Sequence, residues 1–276
     1  DSAHKECAKI SETDRFITVD GDNIIDPSFF DQELSFTSRE YNPDKTILSW
    51  AAKNEINGLV YGNGGIKCWP VEEVLNMKTH ENAEDDNKHT QVDFCWDMDY
   101  LQMNNVCSHV YNNGSVYQAY RAGFREGVKM GLTHGGIKIQ NPLGGNFEPN
   151  IWPTNFNRLL IWMSVGMDVP YGEWAIYGAR LGCYMTNLTD WDWVQVRDFD
   201  WHTEFFESEV KPKFAGNDKI DHKIKYSWDE TLLNNESIRL GRELKKHLGI
   251  EVANLDSDQS EFFKKVYVNP PRIGKV

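Results

Sequence analysis

The stretch DRFITVDGDNIIDPSFF, residues 14–30, contains the feature that decides the fold, a strand-like run that stops on two acids. Phe16–Val19 predicts a short buried strand, and Asp20-Gly21-Asp22 follows it directly. Two carboxylates at positions i and i+2 can bind one hard cation together, and the glycine lets a diphosphate approach the backbone. A strand-to-turn boundary is the alternative, because Asp and Gly are common in turns. The strand before the acids favours the metal site, since open α/β sheets present ligands at their strand ends.

Composition limits the classes of protein to which the chain can belong. With 276 residues, 40% of them hydrophobic and 13% aromatic, it can bury a sizeable core. The net charge of −13 argues against non-specific binding to DNA or anionic membranes, although a local basic groove stays open. No apolar run is long enough to cross a bilayer, and no signal peptide is recognisable. Five widely spaced cysteines without Cys-x-x-Cys favour reduced thiols. We therefore expect a globular, cytoplasmic protein without a membrane span.

A second segment, NGLVYGNGGIKCWP at residues 57–70, predicts a strand interrupted by glycines. Gly62, Gly64 and Gly65 let the backbone approach a polar ligand closely, and Asn63 places a side-chain amide beside them. A β-bulge or tight hairpin that needs positive φ is the alternative interpretation. The chain lacks G-x-G-x-x-G and Gly-Lys-Ser/Thr, which excludes a dinucleotide fingerprint or a P-loop.

Residues 115–132, SVYQAYRAGFREGVKMGL, carry apolar side chains at helical spacing and predict the clearest helix of the chain. Arg121 and Arg125 are four residues apart, so both guanidinium groups share one helix face and can bind phosphates. An ion pair with Glu126 or another acid is about as good an interpretation.

Three further groups of residues are candidates for chemistry. The polar stretch THENAEDD, residues 79–86, contains Glu81 and Asp85. Together with Asp93, which lies beyond this stretch, they are candidate catalytic bases. The alternative is that the stretch is a solvated acidic loop. In RDFDWHTEFFE, residues 197–207, His202 is a candidate third metal ligand beside the two acids, although a lone histidine is more often structural. Three tryptophans suit stacking on a sugar or base ring, or core packing: Trp191, Trp193 and Trp201.

Four segments resemble, in order, uncharacterised phage-encoded proteins of the GT-A glycosyltransferase type: FITVDGDN, NGLVYGNGGIKCWP, YQAYRAGFREGVKM and WAIYGARLG. The resemblance extends over roughly Ala3 to Phe206. It implies a nucleotide-sugar donor such as a UDP-sugar, a Mn²⁺ or Mg²⁺ ion bound by Asp20 and Asp22, and transfer of the sugar to an acceptor hydroxyl. It also implies that the Gly62–Gly65 strand lies beside the donor sugar and the acceptor.

The predicted fold is accordingly α/β, a GT-A-like open mixed sheet flanked by helices. Residues 1–210 are expected to form the glycosyltransferase domain, and residues 211–276 a charged, helical C-terminal extension. GT-A domains place a nucleotide-binding βαβ unit before the Asp-x-Asp strand, and here the sequence begins with the last helix of such a unit. We therefore expect that an upstream segment or a partner chain completes the nucleotide site, or else that this site has been lost.

The function that these features predict is a metal-dependent glycosyltransferase. Glu81, Asp85 or Asp93 would deprotonate the acceptor in an inverting reaction, and a retaining reaction is equally open. The acceptor could be a modified base of phage DNA, a glycan or a protein, with DNA disfavoured by the negative charge. The alternatives are a non-catalytic virion or assembly protein of the same fold, and a metal-dependent hydrolase that uses the same acids.

Overall fold

The computed structural model describes residues 2–35, 41–77, 98–133, 136–216 and 228–269. The chain divides into two compact units, the first formed by Asp1–Asn112 with Val266–Val276, and the second by Asn113–Lys265. The first unit is built around a sheet and the second is helical. The division therefore falls near residue 112, whereas the sequence predicts an extension that begins at residue 211.

The described residues of the first unit form five strands and two helices. In chain order these are α1 (Ser2–Ile10), β1 (Arg15–Val19), β2 (Asn23–Ile25), β3 (Ile47–Asn54), β4 (Val60–Pro70), α2 (Val71–Asn76) and β5 (Tyr100–Val110). A 3₁₀ turn, Pro27–Asp31, follows β2. The strand order is β1-β4-β3-β5-β2, with β3 and β5 parallel and the other pairs antiparallel. The predicted mixed sheet with helices is confirmed.

The sheet is nearly a barrel, which differs from the open sheet that the sequence predicts. Strands β1 and β2 lie at opposite ends of the strand order, yet only Asp20, Gly21 and Asp22 separate them along the chain. A sheet whose two end strands are joined by three residues has to curl until its ends approach each other. Shifts in the pairing register of β3 between Trp50 and Ala52 contribute, because bulges increase strand twist and bending.

Two hydrophobic clusters lie on the sheet of the first unit. Successive strand residues point to opposite faces, so Ile47 and Leu48 of β3 belong to different clusters. The first cluster joins Ile47 to residues of α1, β4, α2 and β5: Ala8, Trp69, Val74, Met77 and Tyr100. The second joins Leu48 to Phe29, Trp50, Ile66 and Cys107. Strand β3 is thus buried on both faces, whereas β1 is not the buried strand that the sequence predicts, since Ile17 is 51% exposed.

The second unit contains seven helices within the described residues. They are α3 (Val116–Met130), α4 (Pro153–Trp162), α5 (Gly172–Leu188), α6 (Phe199–Phe205), α7 (Lys211–Phe214), α8 (Glu230–Leu248) and α9 (Ser257–Val266). Short 3₁₀ turns at Glu148–Asn150 and Trp193–Arg197 and a π-helical turn at Phe206–Val210 connect some of them. The helix predicted at residues 115–132 is confirmed, and Ser115 caps it by accepting the Gln118 N–H.

Helices α3 and α5 pack with their backbones in direct contact. A Cβ placed on Gly123 or Gly127 of α3 would lie 1.9 or 2.1 Å from a carbonyl oxygen of α5. A Cβ on Gly178 or Gly182 of α5 would lie 2.3 Å from a carbonyl oxygen of α3. A side chain at any of these positions would force the two helices apart, since real Cβ contacts are far longer.

No helix among the described residues combines the length and the apolarity that crossing a membrane requires. In the same part of the chain, the cysteines Cys7, Cys68, Cys107 and Cys183 are free thiols. Cys107 and Cys183 are buried, Cys68 is half-buried and Cys7 is exposed.

Candidate functional site

The acidic turn Asp20-Gly21-Asp22 joins β1 to β2, and hydrogen bonds fix it at both ends. The Asp20 N–H donates to Gly65 O at 3.0 Å, and the Tyr111 N–H donates to Asp22 O at 2.8 Å. A further bond from the Asn23 N–H to Asp20 O, also 3.0 Å, closes the turn. Asp20 and Gly21 are exposed and Asp22 is half-buried. Two carboxylates therefore lie on a rigid turn that solvent can reach.

A short chain of hydrogen bonds orients the Asp22 carboxylate. The Asn23 side-chain amide donates to Asp22 Oδ1 at 3.0 Å, and the buried Ser108 hydroxyl donates to Asn23 Oδ1 at 2.7 Å. Sequence reasoning missed both residues. Asn23 directly follows the acids and was open to detection, but Ser108 reaches the site only through the pairing of β2 with β5.

The glycines of β4 allow the turn to approach the strand. Gly65 has φ +93°, and a Cβ there would lie 2.5 Å from Asn23 Nδ2 and 2.9 Å from Asp20 Oδ2. A Cβ on Gly64 would lie 2.2 Å from the backbone nitrogen of Ala52. The structure thus brings together the two segments that the sequence singled out, the acidic turn and Gly64-Gly65. Asn63 lies in β4, and its side chain is outside the described atoms.

His4 of the first unit is influenced by two charged side chains, those of Lys67 and Asp20. His4 of α1 packs edge-on against Trp69, with ring centroids 5.3 Å apart. Burial lowers the pKa of His4, the charge of Lys67 acts in the same direction, and the charge of Asp20 opposes them. Sequence reasoning missed both His4 and Lys67. Lys67 was open to detection, because it is two residues from Gly65 in a strand and therefore on the same face.

Arg121 and Arg125 belong to α3 and so to the second unit. The Arg121 guanidinium lies 4.1 Å from the centre of the Phe199 ring, which is 66% exposed. Its Nε is buried and has no hydrogen-bond partner in the part of the chain that the structure describes. Burial lowers the pKa of Arg121, and the charge of Arg125 adds to the effect. The sequence predicts that these arginines and the acidic turn bind the same donor phosphates. This stays a prediction, because the arginines and the turn belong to different units.

His202 occupies a buried position in the second unit, and only 1% of it is exposed. Its Nε2 lies 2.8 Å from Val196 O, and because a carbonyl can only accept, Nε2 carries the proton. Burial lowers the pKa of His202 to about 4, so the ring is neutral at pH 7. These contacts are those of a structural histidine, and they give no support to its predicted role as a metal ligand beside Asp20 and Asp22.

The tryptophans near His202 form part of an aromatic cluster. Trp201 stacks on Phe205 with ring centroids 4.9 Å apart and packs against Trp191 at 5.1 Å. Both tryptophans are half-buried, and Trp193 is buried. Core packing thus accounts for these rings.

The three predicted catalytic acids, Glu81, Asp85 and Asp93, lie outside the described residues. Their role as general bases stays a prediction.

A divalent cation fits the acidic turn only with the help of a substrate. Within the described ranges, no group of three or more His, Cys, Asp or Glu side chains is arranged to hold a metal ion. Asp20 and Asp22 supply two carboxylates, and Mg²⁺ commonly binds one or two carboxylates together with substrate phosphates and water. The donor set therefore suits a metal that arrives with a diphosphate, and not a permanently bound structural ion.

Known proteins offer no guide to this site. Comparisons with protein-family models, with curated proteins and with solved structures find no match. The function has to follow from the chain's own residues.

Proposed function

We propose that the chain is a metal-dependent glycosyltransferase of GT-A type, which moves a sugar from a nucleotide-sugar donor to an acceptor hydroxyl. The observation that carries the proposal is the solvent-accessible Asp20-Gly21-Asp22 turn, which is held against Gly65. Gly65 lets the acidic turn pack directly on β4, so Asp20 and Asp22 are held at fixed positions that a metal-bound diphosphate can reach from solvent.

In this proposal Asp20 and Asp22 hold Mn²⁺ or Mg²⁺ against the donor diphosphate. A metal ion bound there would supply positive charge to stabilise the nucleoside diphosphate as the leaving group. Asn23 holds the Asp22 carboxylate in one orientation, and the buried Ser108 holds Asn23. Such support reduces the reorganisation needed when the donor binds.

The remaining roles rest on the sequence. Arg121 and Arg125 are proposed to bind donor phosphates, and Glu81, Asp85 or Asp93 to take the acceptor proton if the reaction is inverting. A UDP-sugar is the donor we would try first. A cytoplasmic location and the identity of the acceptor stay predictions.

A thermal-shift experiment with UDP-sugars tests the proposal. We expect a UDP-sugar to raise the melting temperature in the presence of MnCl₂, and the rise to disappear with EDTA, because the ligand binds only the folded state. Asp22→Asn keeps the shape of the side chain but removes its charge, so it should abolish the metal-dependent rise. Asp26→Asn is the matched control: it removes the same charge from a residue whose carboxylate only caps the 3₁₀ turn after β2.

The outcomes separate the candidate functions. If no nucleotide-sugar stabilises the protein in the presence of metal, the enzyme proposal fails. A non-catalytic role as a virion or assembly protein is then favoured. Release of UDP without any acceptor would instead favour a hydrolase. A rise that persists in Asp22→Asn would show that the donor binds away from the acidic turn.

A further inference from the structure

The second unit contains a cavity of about 350 Å³, lined by residues of α5, of α8 and of the segment before α9. Much of its wall is apolar, with five aliphatic or thioether side chains: Met167, Ile176, Leu233, Ile238 and Leu255. Sites for small molecules typically have volumes of about 300–1,000 Å³ and mainly apolar walls with a few polar groups. The cavity therefore has the size and the lining of a small-ligand site.

The polar group that distinguishes this cavity is the guanidinium of Arg180. The residue is 2% exposed, and its nitrogens donate to four neutral oxygens at 2.9 Å: Met163 O, Ser237 O, Ala253 O and Asn254 Oδ1. A guanidinium has five N–H donors, so these bonds leave one for a further acceptor. None of the four acceptors carries a charge to balance that of Arg180.

The two carboxylates that also line the cavity do not neutralise Arg180. No ion pair joins either of them to Arg180 in the described chain, and burial alone lowers the pKa of Arg180 to about 10. Asp256 accepts the Gln259 N–H in the first turn of α9, where the helix dipole favours its charge. Burial raises the pKa of Glu173, and the charge of Glu230 contributes. Among the described residues, the buried Arg180 guanidinium therefore has only neutral hydrogen-bond partners.

We propose that this cavity binds a small organic anion, whose charged group bonds to Arg180 and whose apolar body packs against Ile176, Leu233 and Ile238. Buried charges in proteins are normally paired, and a single anionic group would supply the missing partner. The proposal is independent of the glycosyltransferase function and involves different residues.

Thermal shift with probes of matched shape tests the proposal. Sodium octanoate and octyl phosphate present the two common anionic groups on one apolar chain, and octanol presents the same chain without charge. We expect one or both anions to raise the melting temperature saturably by at least about 3 °C, and octanol to have no such effect. The better of the two anions identifies the head group.

Variants show whether the effect arises in the cavity. Ile238 is half-buried, so Ile238→Trp should fill the cavity from its rim while the protein stays folded, and it should remove the shift. Arg180→Gln should remove it as well. Arg242→Gln removes the same charge from an exposed position of α8 and should keep the shift.

Three results would overturn the proposal. They are the absence of a saturable shift with either anion, an equal shift with octanol, and a shift that survives in a folded Ile238→Trp protein. Because the Ile238→Trp result does not depend on Arg180, the proposal stays falsifiable even if Arg180→Gln fails to fold.

Discussion

At the scale of single residues, His202 couples the second unit to pH. Its folded-state pKa, about 4, lies below the ordinary histidine value of 6.5 because burial disfavours the charged ring. The neighbouring charges of Arg121 and Arg125 add to this effect, and that of Asp198 opposes it. As pH falls below about 6.5, His202 becomes protonated in the unfolded chain but stays neutral in the folded protein. The free energy of unfolding therefore decreases.

We therefore expect the free energy of unfolding to fall between about pH 6.5 and pH 4, with up to ~3 kcal/mol of the loss due to His202. His202→Gln keeps a side-chain N–H for Val196 O but cannot titrate. Urea denaturation of both proteins across this pH range measures the difference. If the unfolding free energies of wild type and variant depended on pH in the same way, His202 would not be the source of the loss.

Gly65 is the second residue with a direct consequence for the site. Alanine there has to adopt φ +93° and place its Cβ against Asn23 and Asp20. We expect Gly65→Ala to lower the unfolding free energy by more than the ~1 kcal/mol of backbone strain and to remove the metal-dependent stabilisation by UDP-sugar.

Gly144→Ala is the control for Gly65→Ala. Gly144 also has positive φ, +66°, but a Cβ there would meet nothing within 4 Å. The control should show the strain alone and bind the donor normally. Equal effects of the two substitutions in urea denaturation and in donor binding would mean that the contact with the turn is unimportant.

At the scale of elements, the packing of α3 on α5 depends on four glycines. Their missing side chains allow backbone contact, and Tyr120, Phe124 and Val128 of α3 become fully buried. The close approach of the backbones leaves no room for a larger side chain at the crossing.

We expect Gly127→Ala to lower the free energy of unfolding by about 2 kcal/mol or more, because its Cβ would overlap the carbonyl oxygen of Ala179. Alanine is the better helix former, so the loss arises from packing and not from propensity. Gly241→Ala in α8 is the control: the three atoms nearest to its Cβ would be side-chain atoms, a methyl group of Val252 at 2.8 Å and two atoms of Arg180 at 3.5 and 3.8 Å, so we expect a smaller loss. Chemical denaturation measures the unfolding free energy of both variants. Similar losses in the two would contradict the packing argument.

At the scale of the whole molecule, the two compact units should fold separately, since each has its own core. Helix α8 packs on α5, and the carbonyl oxygens of Ser237 and Ala253 accept from the buried Arg180. A boundary at residue 210, which the sequence predicts, would separate Arg180 from these acceptors.

We therefore expect a fragment of residues 113–265 to unfold cooperatively on heating, and a fragment of residues 113–210 to lack a cooperative transition. The shorter fragment leaves the Arg180 guanidinium without most of its partners and exposes the side of α5 that α8 covers. Near-ultraviolet circular dichroism follows both. A cooperative transition in residues 113–210 would support the boundary that the sequence predicts.

Local signals in the sequence determined several elements by themselves. Helix α3 follows from the spacing of Val116, Tyr120, Phe124 and Val128, because residues four apart lie on one helix face. Strand β1 and the acidic turn follow from an apolar run that ends in Asp-Gly-Asp. These elements depend on residues that are close together along the chain, so the sequence alone predicts them.

Tertiary structure alone decided the near-closure of the sheet, the support of Asp22 by Ser108 and the burial of Arg180. Strand β5 carries two adjacent asparagines and no regular alternation, and it is placed by its parallel pairing with β3. Ser108 is 85 residues from Asn23, and Arg180 is 57 from Ser237. Contacts of this range depend on how whole elements pack, and no local pattern encodes them. The residues of the acidic turn were therefore readable from the sequence, and the surroundings that make them a site were not.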